Sequence, residues 1–122
     1  MQKPTIILGA STNPERYSYI ATEFLQQKKH PVYPVGIKKG EILGNPILND
    51  FETLKHKNIH TITLYLNEQN QKQWYDKILD IKPVRVIFNP GSENQELENI
   101  LNHNHIETVN ACTLVLLRTG QY

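Results

Sequence analysis

Behind Gly9 the sequence crowds Ser11, Thr12, Asn13, Arg16 and Ser18 into a short stretch that follows an apolar run, Thr5-Ile6-Ile7-Leu8, and leads into a helical pattern. Hydroxyl and amide donors beside a helix start suit an anion, because the first N–H groups of a helix are unpaired and its dipole is positive there. Arg16 adds a planar guanidinium that can grip a phosphate with two hydrogen bonds. Gly9 lets the backbone come close to a ligand, and Pro14 stiffens the loop. Only the first glycine of a G-x-G-x-x-G pattern is present, so the loop by itself specifies phosphate chemistry and no particular cofactor.

A second group narrows the choice. The next apolar run ends Val35-Gly36-Ile37-Lys38-Lys39, with no acid before Glu41. A site for NAD calls for an Asp or Glu near this point to take the ribose hydroxyls, whereas lysines suit a ribose that carries a further phosphate. NADP has one at the 2′ position and coenzyme A one at the 3′ position, and these residues fit either.

Bond-making chemistry has no comparable signature. Hydrolysis, acyl transfer and phosphoryl transfer need a nucleophile with an orienting base, or a metal. Cys112 is the only cysteine and lies in an apolar stretch, which predicts a buried core position. None of the five histidines has zinc-finger or metalloprotease spacing, and His103 and His105 fall in a polar loop. Trp74, at helical spacing from Ile78, is expected in the core. The sequence thus offers no catalytic and no metal-ligating residue.

These groups need elements to hold them. Residues 4–9 predict a buried strand, and Ile20, Ala21, Phe24 and Leu25 an amphipathic helix from about Ser18 to Lys29. Residues 31–35 form a second strand, completing a βαβ unit with a right-handed crossover. After a turn-rich connection, Asn49 and Glu52 have capping-box spacing for a short helix. Residues 61–66 predict a third strand, and Trp74, Tyr75, Ile78 and Leu79 a helix closed by Pro83. Residues 84–88 form a fourth strand, a helix capped by Ser92 and Gln95 follows, and residues 106–110 give a fifth strand. The ending from Cys112 to Leu117 is apolar without a readable type. Alternating strands and helices predict an α/β fold: a single Rossmann-like domain over residues 1–122, with an open parallel five-stranded sheet, order 3-2-1-4-5, and helices on both faces. In such a sheet ligands bind beyond the carboxyl ends of the strands.

The chain has 122 residues, 39% hydrophobic and 20% charged, ordinary values for a globular domain. A net charge of +1 argues against general affinity for nucleic acid or membrane, and no apolar run is long enough to span a bilayer. With a single cysteine and no signal-peptide pattern, the expected setting is cytoplasmic. The charge is uneven. Residues 1–40 carry six basic and two acidic side chains, against seven and ten in the remainder.

Taken together, Gly9-Ala10-Ser11-Thr12-Asn13-Pro14-Glu15-Arg16-Tyr17-Ser18, Tyr33-Pro34-Val35 and Gly40-Glu41-Ile42-Leu43-Gly44 resemble the small stand-alone CoA-binding domain proteins. These are similar to the CoA-binding domain of the succinyl-CoA synthetase α subunit and of NDP-forming acyl-CoA synthetases. The resemblance spans nearly the whole chain, and the first motif, with Asn13, Pro14 and Arg16, is its most specific part. It implies the CoA pyrophosphate on Gly9, Ala10, Ser11 and the helix start with Ser18, and adenosine near Pro34 and Val35. It further implies the 3′-phosphate near Lys38 or Lys39, with Tyr65 and Leu66, and Asn89, Pro90 and Gly91, flanking the ligand. Many relatives place an arginine after the aromatic at the third strand exit, where this chain has the uncharged Leu66-Asn67. In the ligases the phosphorylated histidine sits on a second domain, and no such domain is expected within these 122 residues. The expected function is therefore non-catalytic binding of CoA or an acyl-CoA, with a homo-oligomer or a ligase as possible partner. An NADP-binding oxidoreductase-like protein, or an interaction domain that has lost its nucleotide, are the alternatives.

Overall fold

The computed structural model describes all residues, Met1–Tyr122. Five short strands form one parallel sheet: β1 (Thr5–Leu8), β2 (Val32–Val35), β5 (Thr61–Leu64), β6 (Arg85–Phe88) and β7 (Glu107–Asn110). A two-stranded hairpin, β3 (Glu41–Ile42) and β4 (Asn45–Pro46), stands apart from it. The helices are α1 (Tyr17–Gln27), α2 (Glu68–Gln71), α3 (Tyr75–Ile81), α4 (Gln95–His103) and α5 (Thr113–Arg118). No helix is long and apolar enough to cross a membrane.

Three central strands, β1, β5 and β6, are buried at every position, as a parallel sheet covered on both faces requires. Alternate residues serve opposite faces. Ile6 and Leu8 join a core of 15 residues with Ile62, Leu64, Val86 and Phe88, covered by Trp74 and Ile78 of the α2–α3 segment and Leu97 and Leu101 of α4. Ile7 and Ile87 face the other way, against Leu25 of α1 and Leu117 of α5. The apolar ending is thus a short helix lying beside α1.

The strand order across the sheet is β2-β1-β5-β6-β7. Leu48 makes a single parallel bridge to Val35 on the outer side of β2. Counted as a third strand, it gives the 3-2-1-4-5 pattern, with β7 added at the far edge. The segment expected as strand three, residues 61–66, therefore sits beside β1 and ends at Leu64. A one-residue bridge next to Pro46 is too short to carry a periodic signature, which is why the sequence does not mark it as a strand.

The helix ends also depart from expectation. Helix α1 closes with Lys29 in the left-handed region (φ 69°), the N–H of His30 donating to Leu25 O and that of Lys29 to Gln26 O. Helix α4 closes the same way at His105 (φ 61°), with Ile106 N–H to Leu101 O and His105 N–H to Asn102 O. Both are Schellman motifs, with a non-glycine residue in the place glycine usually takes. At the start of α4, Asn94 is the cap and accepts from Leu97 N–H at 3.1 Å, while Ser92 donates its hydroxyl to Leu64 O. The Asn49–Glu52 pair caps nothing. Asp50 accepts from Glu52 N–H before a single 3-10 turn, and Asn49 donates to Gly36 O. Cys112 is half-buried at the start of α5, outside the core.

Candidate functional site

The exits of β1, β2, β5 and β6 open onto one cleft of about 570 Å³. Its first wall is the loop after β1. The N–H groups of Gly9 and Ala10 donate to Val35 O at 2.9 and 3.0 Å, tying this loop to the end of β2. Asn13 N–H donates to Ser11 Oγ and Glu15 N–H to Asn13 Oδ1, so two of the polar side chains shape the turn itself. The turn delivers Arg16 to the N-cap of α1 in an extended conformation, and no side chain caps the helix. The first N–H groups of α1 therefore have no acceptor from a capping side chain, and no acidic residue occupies the first turn to balance the dipole.

The second wall follows β2. Gly36 N–H donates to Leu48 O at 2.9 Å, and Asn49 Nδ2 donates to Gly36 O at 2.7 Å, so the exit is held from both sides. Ile37 and Lys38 continue from it along the cleft, Ile37 being 77% exposed. The opposite walls are neutral. Leu66, Asn67, Asn70 and Gln73 come from the β5 exit, α2 and the 3-10 turn that follows it, and Pro90, Gly91 and Ser92 from the β6 exit. Asn67 caps α2 by accepting from Asn70 N–H at 2.9 Å. Trp74, only 2% exposed, belongs at once to the core and to the cleft lining. Burial pushes the Tyr65 phenol up to about 12, against the pull of the nearby Thr63 and Thr113 hydroxyls, so it is a neutral hydroxyl at physiological pH.

The only charged residues lining the cleft are Arg16 and Lys38, both cationic. This half-polar hollow is shaped for an anion at one end and for neutral, hydrogen-bonding groups at the other. No three His, Cys, Asp or Glu side chains come together anywhere in the fold as a metal site would need. The hydroxyls of Ser11 and Ser18 share the cleft with no histidine and no carboxylate.

Of the residues singled out from sequence, Gly9, Ala10, Ser11, Arg16, Ser18, Lys38, Tyr65, Leu66, Pro90 and Gly91 line this cleft. Six others do not. Asn13 and Pro14 lie on the outer side of the turn, and Lys39 is exposed beyond the cleft edge. Val35 is wholly buried and contributes its carbonyl to the first wall. Pro34 faces a separate hollow of about 370 Å³ with Tyr33 and Leu54. Asn89 is buried beneath the floor, donating to Thr63 Oγ1 and Leu64 O and accepting from Thr113 N–H, so it ties two strands to α5. Sequence reasoning missed Tyr17, Gly36, Ile37, Asn67, Asn70, Gln73, Trp74 and Ser92 as lining residues. The run of amides between Asn67 and Gln73 is the one feature that could have pointed to a polar wall.

Residues 3–118 match a family model described as a CoA binding domain. The chain belongs to this family. A solved structure titled only as an uncharacterized protein is 50% identical to this CoA-binding domain, covering 100% of the chain and 99% of its own, with a TM-score of 0.95. A hypothetical protein from Pyrococcus horikoshii OT3 is 22% identical, covers 97% of the domain and 83% of its own chain, and has a TM-score of 0.88. The dinucleotide-forming acetyl-coenzyme A synthetase 1 of Ca. Korarchaeum cryptofilum, solved with phosphate and ADP, is 14% identical. It covers 90% of the domain with 26% of its own chain, at a TM-score of 0.71. The last two share the fold. A comparison with curated proteins returned no match.

Proposed function

We propose that this domain binds coenzyme A or an acyl-CoA in the cleft at the carboxyl ends of the strands and makes no bond itself. The observation that carries the reading is the charge arrangement of that cleft in a member of a CoA-binding family: Arg16 and Lys38 beside an uncapped helix start, facing walls with no carboxylate. The N–H groups at the start of α1, with Ser11 and Ser18, take the pyrophosphate, and Arg16 closes over it. Lys38 takes the 3′-phosphate. The amide-bearing arm of the ligand runs along Asn67, Asn70 and Gln73, whose side chains offer both donors and acceptors.

A thermal-shift series with CoA, 3′-dephospho-CoA, NADP and NAD tests this. A ligand at a hundred times its dissociation constant stabilises the fold by about 2.7 kcal/mol. CoA is expected to shift the melting temperature most and dephospho-CoA clearly less. Equal shifts for those two remove Lys38 from phosphate recognition. A larger shift with NADP than with CoA favours the nicotinamide reading, for which the same lysine serves a 2′-phosphate. No shift with any of the four overturns nucleotide binding.

A further inference from the structure

We infer that Gln71, which does not line the cleft, is a positioning residue that fixes the distance between its two neutral walls; this rests on the CoA reading of the cleft. The β5–β6 ladder stops at the Leu64–Phe88 pair, so beyond that level only side chains hold the two exits together. Asn89 Nδ2 and Ser92 Oγ both donate to Leu64 O, closing the layer at the sheet end. One layer further out, Gln71 Nε2 donates to Leu66 O at 2.8 Å and to Ser92 O at 2.7 Å. Leu66 and Ser92 line the cleft from these two neighbouring exits. One amide nitrogen therefore spans from one wall to the other.

The staple is fully determined. Gln71 is wholly buried, and two carbonyl acceptors on one side force its nitrogen to face them and its oxygen to face away. That oxygen accepts from Asn94 Nδ2 at 2.9 Å, whose other hydrogen goes to the Tyr75 hydroxyl at 2.8 Å. Tyr75 donates in turn to Glu96 Oε1 at 3.0 Å, so the chain of bonds runs from the cleft walls to the surface. Every polar atom of the Gln71 side chain is used, and none is left to bind a ligand directly. Removing the amide leaves the Leu66 and Ser92 carbonyls without partners, and they regain them by turning to water, which parts the walls.

The test is calorimetric titration of CoA and 3′-dephospho-CoA at 25 °C into the wild type, Gln71→Met and Tyr75→Phe. Gln71→Met is expected to weaken both ligands by about tenfold or more, as small misplacements of a binding wall do, and to leave their affinity ratio at the wild-type value. Tyr75→Phe, at the surface end of the same chain of bonds, is expected to weaken both by a smaller factor. A folded Gln71→Met variant that binds both ligands like the wild type overturns the inference. So does a collapse of the ratio, which would put Gln71 at the ribose phosphate. Should Gln71→Met fail to fold, Tyr75→Phe decides, and wild-type affinity in it counts against the staple. A wild type that binds neither ligand is a failure of the CoA reading alone. The backbone amide resonances of Asn67 and Glu93 in the ligand-free protein then decide the matter: movement of both in Tyr75→Phe supports the staple, and no movement refutes it.

Discussion

Gly9 and Gly91 make a matched pair for measuring how tightly the first loop packs on the far wall of the cleft. Their backbones are nearly alike, with φ of 99° and 94°. An alanine at either position carries the strain of a conformation that side chains rarely adopt, about 1–3 kcal/mol. That is partly offset by about 0.4–1 kcal/mol from a less flexible unfolded chain. Their surroundings differ. A Cβ on Gly91 meets nothing within 4 Å, whereas on Gly9 it lies 3.0 Å from the backbone C and O of Tyr65 and 3.1 Å from Leu66 Cδ2. Those backbone atoms cannot swing aside, because Tyr65 N–H is bonded to Leu8 O at 2.8 Å. Overpacking of this kind adds about 1–3 kcal/mol. Gly91→Ala is therefore expected to cost about 1–2 kcal/mol and Gly9→Ala about 2–5 kcal/mol, a large part of a typical total of about 5–15 kcal/mol. Urea unfolding followed by far-UV circular dichroism measures both on one scale, provided the slope with urea stays constant. Equal losses in the two variants would refute the argument, since with φ so similar the contact with Tyr65 and Leu66 is what an added Cβ meets at Gly9 and not at Gly91.

Three further outcomes are expected. Lys29→Gly should stabilise the protein by about 1 kcal/mol, because a lysine held at φ 69° in the Schellman motif gives way to a residue with no Cβ to strain; an unchanged urea midpoint would contradict this. Stability should fall as the pH drops below about 6.5, because burial first, and then the charges of Lys3 and Arg85, hold His30 and His60 below their ordinary value. A depressed histidine stabilises the fold above its unfolded value and loses that contribution as the pH falls through the folded one. A His30→Asn/His60→Asn double variant should show a shallower fall in urea midpoint between pH 7 and 5 than the wild type, and an equal fall would count against the assignment. Finally, Arg16→Ala should weaken CoA and dephospho-CoA alike, whereas Lys38→Ala should weaken CoA alone, by about tenfold for one exposed charge-assisted contact to phosphate. Equal effects of Lys38→Ala on both ligands, read by calorimetry, would remove the lysine from the 3′-phosphate.

Much of the fold was legible because burial on both faces leaves a strong trace. Thr5-Ile6-Ile7-Leu8, Thr61-Ile62-Thr63-Leu64 and Arg85-Val86-Ile87-Phe88 are short runs rich in β-branched residues, of the kind a covered parallel strand carries. What escaped was set by contacts distant in sequence. Leu48 takes the outer flank of β2 while residues 61–64 pair with β1, and one bridged residue leaves no periodicity by which to foresee this. The cap of α4 went to Asn94 because Ser92, with suitable spacing, is drawn to Leu64 O across the sheet end. Lysine and histidine at the helix ends hid two Schellman turns, since the usual sign is glycine.

The candidate site divides along a similar line, and the division says why its cationic half was the easier one to read. Arg16 sits at the start of the helix that follows β1 and Lys38 just beyond the end of β2, so placing these elements placed the charges. Lys39, one residue on, is exposed and falls outside the cleft. The neutral half needed the fold first. Asn67, Asn70 and Gln73 reach the cleft because Asn67 caps α2 and turns that short helix across the β5 exit, and Ser92 reaches it because Gln71 draws its carbonyl toward Leu66. Spacing in the sequence encodes none of these closures. They arise where two loops meet over the end of a sheet, and there the amide of Gln71 does for the loops what the ladder does for the strands.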